Sequence, residues 1–376
     1  MSTGLDVVCI GAINYDYMFH CTKDDLNTAD QDGDENLGNT LAEVEADIEE
    51  LFHKRREYST QIGGSAFITL KVIKHILPHL KGAYVSVCGT PNNFDLRYGK
   101  SNNIEAELAH LDDREWLFTT KERYDEPLNR GVGKSVVRLY NHTRNCIKIT
   151  ACANNTILER IEEKEAAGGD LATYLSGAKW VHLSSLSDFN QWESIMLRVI
   201  KAKSMNPDLK ISVDPGFEFT HKWKERLCPL IRHADYVFLN KTEKGNLGDH
   251  AESAQQLYQN LCDYFMDENG KSNTTLIIKY DDRHEIIGFE NGNAKIRTIR
   301  HKKLFNYQLN NDTGAGDSLA GGFISGMLDE RVNGDIEGPI QVGVLAAKGR
   351  MTSFEYENPY LNIQKLTDEY FENLEK

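Results

Sequence analysis

Short apolar, β-branched runs alternate with longer amphipathic segments along most of this chain, a rhythm that suits a parallel sheet covered by helices on both faces. Residues 7–10, 84–88, 180–183, 211–213, 236–239 and 276–279 read as strands, each followed by polar or glycine-bearing turn residues. Between them, 65–80, 191–205, 221–233, 251–266, 317–328 and 338–354 place apolar residues at three- and four-residue intervals and read as helices. The fold class expected is therefore α/β, a mainly parallel central sheet flanked by helices. The 376 residues give it room as one large domain with a sizeable core.

Two regions break the alternation. Residues 24–50 hold eleven Asp or Glu and no Lys or Arg, and read as a solvated loop leading into an acidic helix. Their run Asp30-Gln31-Asp32-Gly33-Asp34 is only superficially a calcium loop. With Gly33 in sixth place, Thr28 and Asn39 fall at the first and twelfth positions, which need carboxylates. The second region, 130–152, has strand-like runs at 135–140 and 146–150 around Asn141-His142-Thr143-Arg144-Asn145, a hairpin standing out from the main sheet as a small β flap.

The net charge is −14, a sign that repels nucleic acid and anionic membrane surfaces, and neither is expected as a partner. Seven cysteines with no C-x-x-C pair point to a reducing cytosol, and no apolar run is long enough to span a membrane. A soluble cytoplasmic protein is the expectation.

The most informative segment is Asn311-Asp312-Thr313-Gly314-Ala315-Gly316-Asp317, where small residues lead into an apolar helix. The backbone amides of Gly314, Ala315 and Gly316 at a helix N-terminus suit phosphate oxygens. Asp317 beside them is placed to take the proton of an attacking hydroxyl, or else it helps to cap a helix after a glycine turn. Asn14 and Asp16 alternate just beyond the first strand and so face one way, where an amide and a carboxylate can hold sugar hydroxyls; a polar turn is the plainer alternative. Asn240 and Glu243 follow another strand at the spacing of a capping-box variant.

Taken in order, these motifs resemble the ribokinase-like (PfkB) carbohydrate kinase family over nearly the whole chain. Gly314-Ala315-Gly316-Asp317 is similar to its G-A-G-D core, Gly11-Ala12-Ile13-Asn14-Tyr15-Asp16 to its first strand and substrate contacts, and Gly63-Gly64-Ser65-Ala66 to its double glycine. Asp214-Pro215-Gly216 and Asn240-Lys241-Thr242-Glu243 fall where the family has a strand-end Asp and N-x-x-E. The resemblance implies a ribokinase-like fold whose β lid comes from segments 14–62 and 112–152. It also implies ATP-dependent phosphorylation of a hydroxyl on a sugar, or on a nucleoside or related small molecule. Asp317 would be the base, and the amides from Gly314 to Gly316, with Thr313, would meet the nucleotide phosphates. Asn14, Asp16, Gly63 and Gly64 would border the acceptor. Glu243 and Asn240 would organise Mg2+, and Asn240 would also border the nucleotide. A monovalent cation such as K+ near the phosphate turn and a homodimer through the lid complete what it implies.

The chain departs from the family pattern in three places. Apolar Phe67 and Ile68 stand where an Asn usually follows the double glycine, which removes one sugar contact and offers a surface for a nucleoside base. The D-T-x-G-A-G-D run is altered by Asn311 and Asp312 in its first two places, or by a deletion ahead of the glycine core. Tyr280-Asp281-Asp282-Arg283-His284 replaces the glycines that often border the nucleotide. A sugar kinase is the leading expectation, ahead of a nucleoside kinase and of a weakly catalytic binding protein on the same scaffold. Gly131-Val132-Gly133-Lys134-Ser135 is not a P-loop, because Leu128 replaces its first glycine and a strand follows. His75 and His79 straddle Pro78 and are expected at the surface, and the glycosylation pattern at Asn154 has no secretory route to use it.

Overall fold

Among the described residues nine strands form one sheet and five form another. The computed structural model describes residues 4–25, 34–36, 39–99, 104–120, 131–140, 143–267, 272–280, 283–290, 293–300, 312–332, 335–353 and 358–374. Asn311, the calcium-like run 30–33, Leu128, Asp281 and Asp282 lie outside them.

The strands, in chain order, are β1 Val7–Ile10, β2 Asn14–His20, β3 Asp34–Asn36, β4 Tyr58–Gly63, β5 Gly82–Cys88, β6 Leu117–Thr119, β7 Gly133–Tyr140 and β8 Thr143–Thr150. They continue with β9 Trp180–Ser184, β10 Lys210–Asp214, β11 Tyr236–Asn240, β12 Thr275–Lys279, β13 Arg283–Glu290 and β14 Asn293–Arg300. The large sheet runs β14-β13-β12-β11-β10-β9-β1-β5-β6 and is parallel except at β12/β13 and β13/β14. Its parallel strands are mostly apolar and carry charge only at their ends, because both faces are covered. Along β1, Val8 and Ile10 enter one core with the helix Phe189–Met205, while Val7 and Cys9 enter the other with the helices Ser65–Ile76 and Ala315–Leu328.

From β1 the chain moves outward to β5 and β6, then returns to β9 on the other side of β1 and proceeds to β12. That reversal opens a crevice at the carboxyl ends of β1 and β9, where open α/β folds collect ligands. The small sheet, β3-β8-β7-β2-β4, stands over the crevice as a lid. β6 lies in the 112–152 segment assigned to the lid, yet it pairs with β5 in the large sheet.

The acidic segment does contain a helix, Leu41–His53, opened by a capping box between Thr40 and Glu43. Its Val44, Ile48 and Leu51 are buried against the lid's outer face. Three lid cations meet its carboxylates: Lys134 with Glu45 at 2.6 Å, Arg138 with Asp47 at 3.0 Å and Lys148 with Asp47 at 2.7 Å. Lys134, the residue of the P-loop-like run, is fully buried in β7 and also pairs with Asp95 at 2.9 Å, which Tyr17 bonds in turn.

Helix 221–233 is in fact two, Phe217–Lys222 and Lys224–Ile231, meeting at Trp223, whose ring lies 5.3 Å from that of Phe189. The antiparallel hairpin β13–β14 is a further difference, adding two strands to those expected from the sequence. His75 is half-buried, stacked on Tyr360, while Asn154 is 3% exposed and closed to a glycan.

Candidate active site

Three neighbouring strands end in residues that face the crevice: Asp214 on β10, Asn240 on β11 and Lys279 on β12. Lys279 was not singled out in the sequence, although its position as the charged last residue of an apolar strand is a usable signal. Its Nζ is 2.9 Å from Asp214 Oδ2 and would be only 3.2 Å from a Cβ placed on Gly316. Burial alone would lower its pKa, but Asp214, Glu243 and Asp317 around it hold the ammonium above the usual lysine range.

The Gly314-Ala315-Gly316 turn is built as the glycines suggested, with one correction. Ala315 N–H donates to the Asp312 carbonyl at 3.1 Å, so this amide closes a turn and is not open to a ligand. Gly314 takes φ +80° at the third position of that turn, the sign a type II turn demands. The helix Ala315–Leu328 starts here, so the amides of Gly316 and Asp317 fall in its first turn, which lacks helical partners. Asp317 is partly exposed and lines the cavity.

Asn14 and Asp16 are not on a turn after β1 but within β2, on the lid face that looks into the crevice. Cross-strand register explains their surroundings. Asn14 stands between Gly63 of β4 and Gly133 of β7, and Asp16 between Gln61 and Ser135. A Cβ at Gly63 would fall 1.8 Å from Asp16 Oδ2, so no side chain fits there. Gly64 begins the helix Ser65–Ile76 at φ +106°. Ser135 Oγ donates to Asp16 Oδ1 at 2.6 Å and Gln61 Nε2 to Oδ2 at 3.1 Å. Asn154, unforeseen in the sequence, donates to Asn14 Oδ1 at 2.9 Å and fixes its amide. Burial raises the pKa of Asp16, opposed by these two donors and by nearby Arg350.

At Asn240 the capping box is present. Asn240 Oδ1 accepts from the amides of Thr242 and Glu243 at 2.8 and 2.9 Å, and Glu243 Oε2 accepts from Asn240 N at 2.8 Å. Glu243 is buried and borders the cavity.

The two groups of residues face each other across a cavity of about 1010 Å³ bordered by body and lid. Phe67 does not reach it, lying in the core 5.4 Å from Tyr84, whereas Ile68 does. The lid adds an apolar wall, Val137, Ile147 and Ile149, beside Asp16.

A sequence profile described as the pfkB family carbohydrate kinase matches residues 128–359, more than half of the chain. The chain belongs to the pfkB family. A comparison with curated proteins finds no match. Among solved structures, the adenosine kinase of Schistosoma mansoni in complex with 2-fluoroadenosine is similar at TM-score 0.72 and 16% identity, covering 94% of this chain and 97% of that one. The adenosine kinase of Anopheles gambiae in complex with P1,P4-di(adenosine-5) tetraphosphate follows at 0.70 and 20%, covering 94% and 97%. The ribokinase of Giardia lamblia follows at 0.70 and 14%, covering 98% and 99%. At these identities the likeness shows the fold, which is ribokinase-like.

As a pfkB kinase the protein is an ATP-dependent phosphotransferase acting on a hydroxyl of a sugar or nucleoside. ATP is its phosphoryl donor and Mg2+ the family's usual companion. Among the described residues no helix is long and apolar enough to cross a membrane.

Proposed function

We propose that this pfkB kinase phosphorylates a nucleoside, with Asp16 and Asn14 taking the ribose hydroxyls and the base lying on the apolar wall. The observation that carries this reading is the pairing, on one lid face, of a buried carboxylate with Val137, Ile147 and Ile149. A free sugar presents hydroxyls around most of its ring and gains less from such a wall than a flat, apolar-faced base does. The complex of the Schistosoma enzyme with 2-fluoroadenosine fits the same view. This reverses the order, sugar before nucleoside, that the sequence suggested.

In the proposed mechanism Asp317 accepts the proton of the attacking hydroxyl. The amides of Gly314 and Gly316 and the ammonium of Lys279 stabilise charge on the transferred phosphoryl group, with Thr313 alongside. Mg2+, when bound with ATP, neutralises phosphate charge. Glu243 is the residue placed to hold it through its waters, as one of three carboxylates whose field reaches Lys279. Asn240 acts through the cap that orients Glu243, because its side-chain oxygen is already engaged by two amides. At the Thr313 carbonyl a monovalent cation would meet the charge of the Arg350 guanidinium, which donates to that oxygen at 2.9 Å, so this oxygen is a poor ligand for one. Of a homodimer through the lid, the outer face of β7 and β8 would be the least open part, since the helix Leu41–His53 packs there.

The test is a panel of sugars, sugar phosphates and nucleosides incubated with MgATP, scored for phosphorylated product. Product from nucleosides in preference to free sugars is the expected outcome. Product from free sugars alone would put sugar back ahead of nucleoside, and binding without product would make the protein a binder.

A further inference from the structure

Arg350 is a buried cation that none of the steps above employs. It lies in the helix Glu337–Thr352, 6% exposed, and its guanidinium bonds in two directions. Nε donates to the Thr313 carbonyl at 2.9 Å, one residue before Gly314 of the phosphate turn. Nη2 donates to Gln61 Oε1 on lid strand β4. A guanidinium has donors only, so Gln61 must give it the amide oxygen and turn the NH2 group the other way. That NH2 group donates to Asp16 Oδ2. The polarity of the Gln61 amide, and through it the set of the Asp16 carboxylate, is thus dictated from the opposite side of the crevice.

We propose that Arg350 is a positioning residue for phosphoryl transfer: through Gln61 it orients the acceptor carboxylate of Asp16, and it ties that carboxylate to the phosphate turn. The proposal rests on the reading of Asp16 as the acceptor ligand. Body and lid then share one hydrogen-bonded chain, Thr313–Arg350–Gln61–Asp16–Ser135. Within these five residues Arg350 is the one cation and Asp16 the one anion, and the field of Arg350 reaches the carboxylate.

The decisive variant is Gln61→Glu in the full chain, assayed with whichever acceptor the panel yields. It keeps an oxygen for Arg350 but sets a carboxylate oxygen against Asp16, and like charges at that distance oppose each other. At pH 8 the acceptor KM should rise about 10-fold or more, as a lost charge-assisted bond requires. On acidification one proton shared between the two carboxyls restores a donor, so the variant's acceptor KM should fall. The wild type should do the reverse, since it needs Asp16 ionised and burial has already raised that pKa. The ATP KM should stay level in both.

Opposite pH slopes support the proposal, and parallel slopes or an unchanged KM at pH 8 overturn it. Should Gln61→Glu not fold, Arg350→Lys decides. Its ammonium lacks the planar fork that spans the Thr313 carbonyl and Gln61 Oε1 in their present places, so a raised acceptor KM together with a lowered kcat is expected, and wild-type values for both would sink the idea. Asp16→Asn separates the two layers. If it leaves the acceptor KM unchanged, the acceptor reading itself fails. If it raises KM while the Gln61 and Arg350 variants behave as wild type, only the positioning role fails.

Discussion

In the seven parallel strands of the large sheet, Asp, Glu, Lys and Arg occur only as first or last residues, whereas in the lid they stand in mid-strand. Asp214 and Lys279 end their strands; Asp16, Lys134, Arg138 and Lys148 interrupt theirs. The difference follows from what covers each sheet. Apolar helices on both faces of the body leave no place for a charge except at the rim, where ligands also gather. Neither face of the lid is wholly apolar, since one borders the crevice and the other meets an acidic helix. Charge in the body is therefore confined to the strand ends, Asp214 and Lys279 at the cavity and Lys210 at the far rim beside Asp235, and charge in the lid divides between the face that borders the cavity and the face that meets the acidic helix.

That division can be broken experimentally. The largest effect is expected at the body rim, where Asp317→Asn should lower turnover by about 10³-fold while melting temperature and nucleotide affinity stay level. Near-normal turnover would remove Asp317 from the mechanism. On the lid's outer face Lys134→Met should do the opposite. It leaves Asp95 buried beside Tyr17 without its cation, and denaturant titration should show a loss of about 3 kcal/mol, with kcat retained by the fraction that is folded. Loss of kcat at unchanged stability would place Lys134 in the site and erase the distinction between faces. The smallest effect is expected at Glu243→Gln, which weakens a cap worth about 1 kcal/mol. If Glu243 also serves the metal, the Mg2+ concentration needed for half-maximal rate should rise. A lower melting temperature with an unshifted Mg2+ titration would leave it as a cap alone.

The body was readable because its strands need unbroken apolar runs, and β1 at Val7–Ile10 falls on the residues anticipated. The glycine turn ahead of Asp317 was readable because so few residue types permit it. The lid was harder. Asn14-Tyr15-Asp16-Tyr17 alternates polar with aromatic, which puts Asn14 and Asp16 on one face as expected, but only the structure shows that they lie within a strand of a second sheet with both faces covered. The sequence around Lys134 shows only that it is not part of a P-loop, because its two carboxylate partners lie 89 and 39 positions earlier in the chain, beyond any local pattern. Arg350 and Gln61 are 289 positions apart. Contacts of that span are fixed by topology, and neither residue belongs to a motif. Phe67 shows the converse: an aromatic beside the double glycine suggests a stacking surface, yet helix phase turns it into the core and brings Ile68 to the cavity.

The helix Leu41–His53 has a thermodynamic consequence. A lid supported by a second copy would stiffen and slacken with the enzyme's own concentration, because its support would be a bimolecular equilibrium. Here the support is part of the same polypeptide, present at a fixed effective concentration however dilute the solution. Specific activity should therefore be independent of dilution, and ionic strength becomes the variable that tunes the lid. The partly exposed Lys148–Asp47 pair is open to screening, while the buried Lys134 is largely shielded from it.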